Sequence, residues 1–596
     1  MSHDRWAGHA GLRGDPAVIR LSASLLDRTD RQCADFAALK ARTGLWPRIR
    51  ERRRHPPLET FPLGLVMRAL DAVEFGGRDL RQAAEEAVAA NRTPVHPGVA
   101  VWVSHACRAY LRAAEWITDE LEAEGITLAP ERLPRIVQSA SAAELRMLTA
   151  WGRWYGSTDG TVREFRRLRM SRAGDEHTPS TLALAFVTAA GRRAVGNVYQ
   201  DVPVEVIDDA DAPTRIRIVE VTLLEGVPPR VLLDDSPERV RRAYLERVRP
   251  LAQGVVLGGE RRAGSDCLEC KLRAHCEDLP HAPGLLGAEE AGTHRRTWSV
   301  TTGRDYAVCP ARAHMRQLHL PAAAPGDDSA VRRGRAVHRW LEAAHRRGRP
   351  CSPGDLPDPD AAEPGPLAAE LTAEEYRQAR PYLLAHLATC PLAGPGRIDQ
   401  VRPEPVVAAF DPVADVLVIA HPDLLRRVDG RLVYREQKTT TGAPPSGTPE
   451  EVFAQVPQLA LAVLLIAHGV FGEPEGTVEL EVLTPSRAHL TAFDAADPQV
   501  LQAARGQITR MAGPWLHDTE FAASPGPWCE RCPTAQWCPA PRTPAEDGHG
   551  GPIEVDGVLI DPRTGEVLDA SGPLTTRAAA VCASLSDPDP DEAPPF

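Results

Sequence analysis

Apolar positions recur with a helical period in two stretches of the second half of the chain. In residues 334–344 they follow the i, i+3, i+4, i+7 spacing that buries one face of a helix. Residues 452–464 show the same spacing, and this predicted helix carries Gln455 and Gln458.

Between the two helices, short apolar runs predict a sheet. Runs at 405–410 and 416–420 have strand character. Two further runs, 424–428 and 431–437, flank the Asp-Gly dipeptide at 429–430, which favours a tight two-residue hairpin turn. The pattern predicts a β-hairpin that ends near a second helix.

Changes in pattern divide the chain into four predicted regions: 1–95, mostly helical; 96–285, α/β; 293–541, α/β; and 542–596, a polar and partly disordered tail. The two central regions share an outline, with an early cysteine, mixed α/β sequence and a closing cysteine cluster. We therefore hypothesise an approximate duplication.

Composition narrows the class of protein. The chain has 596 residues, a net charge of −12, 43% hydrophobic and 25% charged residues, which excludes a wholly disordered or fibrous protein. No apolar run approaches the roughly 20 residues of a membrane helix, and the first residues lack an apolar signal core. We expect a cytoplasmic protein without a membrane partner.

The cysteines form two clusters with the same C-x2-C-x5-C spacing: Cys267, Cys270 and Cys276, and Cys529, Cys532 and Cys538. Twelve cysteines are too sparse for a disulfide scaffold in a reducing compartment. Four thiolates serve Zn2+ as well as a [4Fe–4S] cluster, so spacing leaves both open. We interpret four other cysteines as unligated thiols: Cys33, Cys351, Cys390 and Cys582.

The predicted hairpin carries a candidate catalytic centre. Asp423 stands at the start of one strand, and Glu436 and Lys438 stand at the end of its partner. Because strand side chains alternate, Glu436 and Lys438 share one face and Gln437 lies on the other. Two carboxylates can bind Mg2+ or Mn2+ and activate a water, while the lysine orients it or stabilises developing charge. This chemistry suits phosphodiester cleavage.

The order of these motifs resembles the RecB-like PD-(D/E)XK nucleases with an iron–sulfur cluster, a group similar to AddB-type nuclease domains and CRISPR adaptation nucleases. The matching residues, in chain order, are Val300-Thr-Thr for the entry strand, Cys309 for the lone cysteine, His338 for the G-x-x-x-H helix, Asp423, Glu436-Gln-Lys438 for (D/E)-x-K, Gln458 for the start of Q-x-x-x-Y, and Cys529, Cys532 and Cys538. One departure is Ala462, where the family usually has tyrosine.

The resemblance implies an α/β fold with a restriction-endonuclease-like core, a mixed central sheet flanked by helices. It implies metal-dependent DNA cleavage, with Mg2+ or Mn2+ held by His338, Asp423, Glu436 and the Gln437 carbonyl, and with Lys438 and Gln458 as further catalytic residues. It also implies a [4Fe–4S] cluster, with zinc as the alternative, on Cys309, Cys529, Cys532 and Cys538.

By analogy, the preceding region holds a second cluster, on Cys107, Cys267, Cys270 and Cys276. This region has no equivalent of Glu436-x-Lys438, since Ile218-Val-Glu220-Val lacks the lysine. We therefore expect a related but degenerate α/β domain that is catalytically inactive.

The main hypothesis is a DNA nuclease that works from ends or on single strands in repair, recombination or phage defence. The chain has no G-x-x-x-x-G-K-[ST] motif, so any unwinding would come from a partner helicase. Two alternatives stay open: a DNA-binding scaffold, alone or in a helicase–nuclease complex, whose nuclease fold is inactive, and a zinc-stapled interaction protein.

Overall fold

The computed structural model describes residues 6, 8–27, 32–49, 55–170, 178–199, 204–207, 212–323, 329–360, 371–540, 553–555, 558–560 and 567–568. The chain divides into two compact units. Among the described residues, the first comprises those within Met1–Asp278 together with Leu318–Pro321, and the second those within Leu279–Gln317 and Ala322–Asp589. The predicted tail region, apart from the three short segments after residue 552, lies outside the described residues.

The first unit contains twelve described strands: β1 (Leu12–Gly14), β2 (Val18–Ser22), β3 (Leu45–Pro47), β4 (Leu128–Glu131), β5 (Arg135–Ala140), β6 (Leu145–Thr149), β7 (Arg153–Ser157), β8 (Val162–Arg169), β9 (Arg192–Val195), β10 (Glu205–Ile207), β11 (Arg215–Thr222) and β12 (Arg230–Asp235). Its described α-helices are α1 (Ala34–Ala41), α2 (Pro62–Glu74), α3 (Leu80–Ala89), α4 (Pro97–Ala123), α5 (Pro179–Ala190), α6 (Pro237–Ala243) and α7 (Arg249–Leu257).

Ten of these strands form two five-stranded sheets, in the orders β10-β9-β5-β6-β2 and β12-β11-β8-β7-β4, and β1 pairs with β3. Strand β2 pairs in parallel with β6, so residues on both sides of the predicted boundary at 95 belong to one sheet. The compact units divide at Asp278 rather than at 95. The predicted helical region also contains the short strands β1, β2 and β3.

In the second unit the strands are β13 (Arg296–Trp298), β14 (Ile398–Pro403), β15 (Val407–Asp411), β16 (Val416–Ala420), β17 (Leu424–Val428), β18 (Arg431–Thr439), β19 (Gly476–Leu483), β20 (Ala488–Asp494), β21 (Ile553–Val555), β22 (Val558–Ile560) and β23 (Val567–Leu568). Its described α-helices are α8 (Val300–Val308), α9 (Pro310–Gln317), α10 (Ser329–Arg346), α11 (Ala373–His386), α12 (Pro449–Gln455), α13 (Pro457–Ala467) and α14 (Pro498–His517).

The main sheet of this unit is mixed, with the order β14-β17-β18-β19-β20, and a smaller sheet has the order β13-β16-β15. The predicted hairpin is present. Val428 pairs with Arg431, and Asp429 (φ 50°) and Gly430 (φ 84°) occupy the left-handed region that a two-residue turn requires. Helix α10 buries the predicted apolar face, with Trp340 and Leu341 each 1% exposed.

Two local predictions are wrong. Residues 300–302 begin helix α8, and the strand precedes them at β13. The predicted helix over 452–464 is two helices, α12 and α13, bent by 114°. The break falls at Val456 because Pro457 cannot donate a hydrogen bond to the preceding turn and restricts the residue before it.

The two units repeat one strand arrangement. In the first, β4, β7 and β8 form an antiparallel series, β8 pairs in parallel with β11, and β11 pairs antiparallel with β12. In the second, β14, β17, β18, β19 and β20 follow the same sequence of pairings. The smaller pairings β2-β6-β5 and β13-β16-β15 also correspond. This is the arrangement that the duplication hypothesis predicts.

Among the described helices, no single one has the length and apolarity to cross a membrane. The bent pair α12 and α13 meets that test by length and composition only when its two helices are counted together.

Candidate metal and active site

Three side chains from separate elements of the second unit converge. His338 lies on α10, Asp423 immediately precedes β17, and Glu404 lies between β14 and β15. One ligand atom of each lies within 4.8 Å of the others. His338 Nδ1 is 2.9 Å from Asp423 Oδ1 and 3.6 Å from Glu404 Oε1. Three potential ligands thus share a pocket small enough for one ion.

Sequence reasoning missed Glu404. It lies 19 positions before Asp423 and belongs to no local motif, and its placement follows from the pairing of β14 with β17. Its backbone N–H donates to the Asp423 carbonyl at 3.1 Å, and its φ of 45° lies in the left-handed region. The available signal was its position directly before the predicted strand at 405–410.

Strand β18 supplies Glu436 and Lys438, and the alternation is as predicted. Lys438 Nζ lies 2.6 Å from Glu436 Oε1, and both side chains are buried. Among the described residues, no hydrogen-bond partner reaches the buried Glu436 Oε2. Gln437 has its side chain on the opposite face, where it donates to Glu481, while its backbone N–H donates to Asp423.

The electrostatics show an excess of buried negative charge. Burial raises the pKa of Glu436 to about 7, with Asp423 adding to the shift against the opposing effect of Lys438. Burial and the Asp423 carboxylate also raise the pKa of Glu404 to about 7. Burial opposes the charge on His338, but Asp423 and Glu404 outweigh it and raise the pKa of His338 to about 10. The arrangement favours added positive charge.

This donor set fits a divalent cation. Oxygen atoms of Glu404, Asp423 and Glu436 are ligands that suit Mg2+ or Mn2+, and His338 adds a ring nitrogen. The unpartnered buried oxygen of Glu436 supports the fit, because a buried charged atom without a partner is costly unless an ion satisfies it.

Gln458 lies at the start of α13, partly buried, where its Oε1 accepts a hydrogen bond from Arg304 at 3.2 Å. The same guanidinium donates to the Gln455 carbonyl at 3.1 Å. Ala462, at the position of the family's tyrosine, is fully buried inside α13. The observed contact of Gln458 is therefore with α8.

The second unit brings its four predicted cluster cysteines together. Burial raises the pKa of Cys538, and the neighbouring thiols of Cys309, Cys532 and Cys529 raise it further. Cys309 lies between α8 and α9, and its Sγ accepts the Ser524 N–H at 3.4 Å. Cys529 Sγ accepts the Gly526 N–H at the same distance. Backbone N–H groups commonly donate hydrogen bonds to the sulfur of thiolate ligands.

In the first unit the structure corrects one member of the predicted cluster. Cys33, at the N-terminal cap of α1, lines one cavity with Cys267, Cys270 and Cys276. Burial raises the pKa of Cys270 to about 12, and the thiols of Cys267, Cys33 and Cys276 contribute. Cys107 instead lies fully buried within α4. Cys33 precedes a helix as Cys309 does, so it is the better counterpart.

Two other cysteines, interpreted above as unligated, also lie beside potential ligands. Sγ atoms of Cys351 and Cys390 form a group that can hold a metal ion with ring nitrogens of His345 and His386. Cys582 lies outside the described residues.

Strand register shows what the first unit has at the positions of the active site. The pair Arg153 and Arg166 ends the ladder of the first unit, and Leu424 and Arg435 form the corresponding pair in the second. One position beyond each pair, Gly152 corresponds to Asp423. By the same step Arg167 corresponds to Glu436. By the same register Arg169 occupies the position of Lys438. Matching the β5–β6 and β15–β16 pairings places Leu133 at the position of Glu404.

This register corrects the sequence comparison, which took Glu220 as the counterpart of Glu436. Glu220 lies on β11, the counterpart of β19, and forms a 2.8 Å ion pair with Arg169. Two arginines, a glycine and a leucine thus stand where the second unit has its carboxylates and lysine. Such a set cannot bind a cation in the same way, which favours the predicted inactivity.

A family model for the PD-(D/E)XK nuclease superfamily matches residues 297–539, which include both the carboxylate site and the four-cysteine cluster of the second unit. No curated protein matches the chain. The mixed sheet flanked by helices agrees with a restriction-endonuclease-like fold, which confirms the predicted fold class. Over these residues the chain is thus similar to the PD-(D/E)XK nucleases, which are hydrolases that use divalent metal.

Proposed function

We propose that the second unit hydrolyses phosphodiester bonds in DNA with Mg2+ or Mn2+ at the site formed by His338, Glu404, Asp423, Glu436 and Lys438. The observation that carries this proposal is the convergence of His338, Glu404 and Asp423, with the Glu436–Lys438 pair on the adjoining strand β18. Glu436 Oε2, which is buried and has no partner among the described residues, supports it, since a cation would satisfy this oxygen.

In this proposal Asp423, Glu404 and Glu436 hold the metal through oxygen atoms, with help from His338 and the Gln437 carbonyl. The bound ion would lower the pKa of a water and neutralise charge on the phosphate. Asp423 is fixed for this role by the Gln437 N–H and by His338 Nδ1, 2.9 Å away. The ligands are therefore oriented by the fold before substrate arrives.

Lys438 is the residue that orients the attacking water. Glu436 Oε1 holds its ammonium at 2.6 Å, and burial of both groups strengthens the electrostatic effect of the charge. Directed at the nucleophile or at the phosphate oxygens, the ammonium stabilises charge that develops in the transition state. Gln458, further along the chain, would contribute through its contact with Arg304.

Within the superfamily we propose the RecB-like branch with iron–sulfur clusters, acting from DNA ends or on single strands in repair, recombination or phage defence. The cluster ligands would be Cys309, Cys529, Cys532 and Cys538. Cys33, Cys267, Cys270 and Cys276 would hold a second cluster, with zinc as the alternative at either site. A helicase would be the partner wherever duplex must be unwound.

The test is a cleavage assay on end-labelled single- and double-stranded DNA with Mn2+ or Mg2+, using anaerobically purified protein and its Lys438→Ala variant. We expect cleavage by the wild type and none by the variant, with DNA binding retained by both. Cleavage that survives Lys438→Ala would contradict the active-site assignment.

A second candidate is a DNA-binding scaffold, favoured by Ala462 in place of tyrosine and by the first unit's loss of its ligands. In that case neither protein would cut with either metal, yet both would bind DNA with equal affinity. If the wild type cuts, the ladder of labelled products also shows the polarity of cleavage.

A further inference from the structure

Four buried side chains of the second unit form a group apart from the carboxylate site. His345 lies in the last turn of α10 and His386 at the end of α11, while Cys351 and Cys390 follow these helices at short spacing. Their exposed fractions are 1%, 0%, 8% and 5%, in the order His345, His386, Cys351 and Cys390. One ligand atom of each lies within 4.8 Å of the other three.

The spacing of these atoms suits a single tetrahedral ion. Zinc bonds of 2.0–2.3 Å place neighbouring ligand atoms about 3.3–3.8 Å apart. The two Nε2 atoms, of His345 and His386, lie 3.2 Å from each other, and both sulfurs fall within the same small group. A tetrahedral set of two sulfur and two nitrogen ligands is typical of zinc.

Charge and burial favour an ion at this point. Two thiolates and two neutral imidazoles around one Zn2+ form a neutral group, which a protein core tolerates far better than an isolated charge. Without an ion, two polar rings and two thiols face one another in the interior of the unit.

The surrounding hydrogen bonds orient the ligands. His386 Nδ1 lies 2.8 Å from the fully buried Glu481 Oε1, so its Nδ1–H donates to the carboxylate and its Nε2 lone pair points to the group. A carboxylate behind a histidine is the usual support of a zinc ligand. The Cys351 N–H donates to Cys390 Sγ at 3.4 Å, as backbone groups do to metal-bound thiolates.

We propose that His345, Cys351, His386 and Cys390 bind one structural Zn2+ that fastens helices α10 and α11 against the sheet behind the active site. Glu481, which supports His386, also accepts hydrogen bonds from Gln437 and Thr389. Gln437 stands between Glu436 and Lys438, and His345 is two turns beyond His338 on the same helix. The ion therefore holds two elements of the active site from behind and touches neither substrate nor reacting atoms.

The first test is the metal content of the full chain, measured by plasma mass spectrometry for the wild type, Cys390→Ser and a control, Cys107→Ser. Cys107 is also fully buried but lies in the first unit. We expect Cys390→Ser to contain about one zinc equivalent less than the other two proteins, with iron content unchanged. Equal zinc in all three, or a loss of iron in Cys390→Ser, overturns the proposal.

A second measurement uses a variant that keeps four metal ligands. Cobalt exchanged into the wild type and into Cys351→His, which keeps four ligands, should give tetrahedral ligand-field bands in both. The thiolate-to-cobalt charge-transfer intensity should be weaker in Cys351→His. Identical spectra, or a Cys351–Cys390 disulfide in anaerobically purified wild type, overturn the proposal. Because these readouts do not involve DNA, they are independent of the nuclease activity.

Discussion

The two units of this chain share a strand arrangement and a closing three-cysteine motif but differ where the second unit has its carboxylates. The positions of Asp423, Glu436 and Lys438 are taken in the first unit by Gly152, Arg167 and Arg169. Both sheets are buried and hydrogen-bonded in the same order, so the change does not disturb the framework. The difference teaches that the fold positions a site, while a few side chains decide whether it can bind a cation.

In the first unit, ion pairs stabilise buried charged groups around the corresponding positions. Arg169 on β8 pairs with Glu220 on β11. Glu164, also on β8, pairs with Arg166 and with Arg217 of β11. The buried carboxylates Glu164 and Glu220 of the first unit are therefore each paired with arginine. In the second unit, the buried Glu436 retains one oxygen that has no partner among the described residues.

The largest expected effect comes from making the same substitution at corresponding positions. Glu436→Gln should lower the cleavage rate on the order of a thousandfold, because metal binding supplies several kcal/mol of transition-state stabilisation. Arg167→Gln should leave the rate unchanged. The measurement is single-turnover cleavage of end-labelled DNA, and a comparable loss in both variants would mean that both units contribute to one active centre.

Glu404 offers a sharper test of the metal site, because its counterpart is the apolar Leu133. Glu404→Gln should raise the Mn2+ concentration for half-maximal cleavage by roughly tenfold or more, since one charged oxygen ligand is lost. The exposed Glu473→Gln is the matched control and should behave as wild type. An unchanged metal requirement in Glu404→Gln would remove it from the ligand set.

The cysteine clusters are the feature that both units are proposed to retain. Cys33→Ser should lower the iron content of anaerobically purified protein by about half, because one of two clusters loses a ligand. Cys107→Ser should retain full iron and the wild-type visible absorption. Iron lost from Cys107→Ser and kept in Cys33→Ser would restore the original assignment from sequence.

The smallest effect is expected at the hairpin turns. Gly430 (φ 84°) and Gly160 (φ 74°) both occupy the left-handed region, and Gly430 has no atom within 4 Å of an added Cβ. Alanine at either position should therefore cost about 1 kcal/mol of unfolding free energy through backbone strain alone. Urea unfolding measures both, and a much larger loss at one turn would show that the two hairpins are not equivalent.

Local sequence was sufficient where short-range physics determines the structure. The Asp-Gly turn sets the register of β17 and β18, and strand alternation then separates Glu436 and Lys438 from Gln437. The single helix predicted across Val456 failed because apolar periodicity was given more weight than Pro457. The proline was visible in the sequence and should have ended the helix.

Long-range contacts were beyond the same reasoning. Glu404 joins the site only because β14 pairs with β17, and Cys33 joins Cys267 because α1 lies against the closing loop of its unit. His386 and Cys390, four positions apart, were a local signal of a metal site. Their partners are His345 on α10 and Cys351 in the segment after it, so tertiary packing was needed to complete the group.

In each unit, a cysteine from the first described helices meets three from the closing segment. With the proposed cluster bound, the two ends of each unit are fastened together by sulfur–metal bonds. A pulling force applied between the cysteines at those ends would load these bonds before it reached the sheet hydrogen bonds of the strands between them. The chain between the cysteines would then resist mechanical extension until its cluster ruptured, whereas strands that precede Cys33 and Cys309, such as β2 and β13, would bear the force directly.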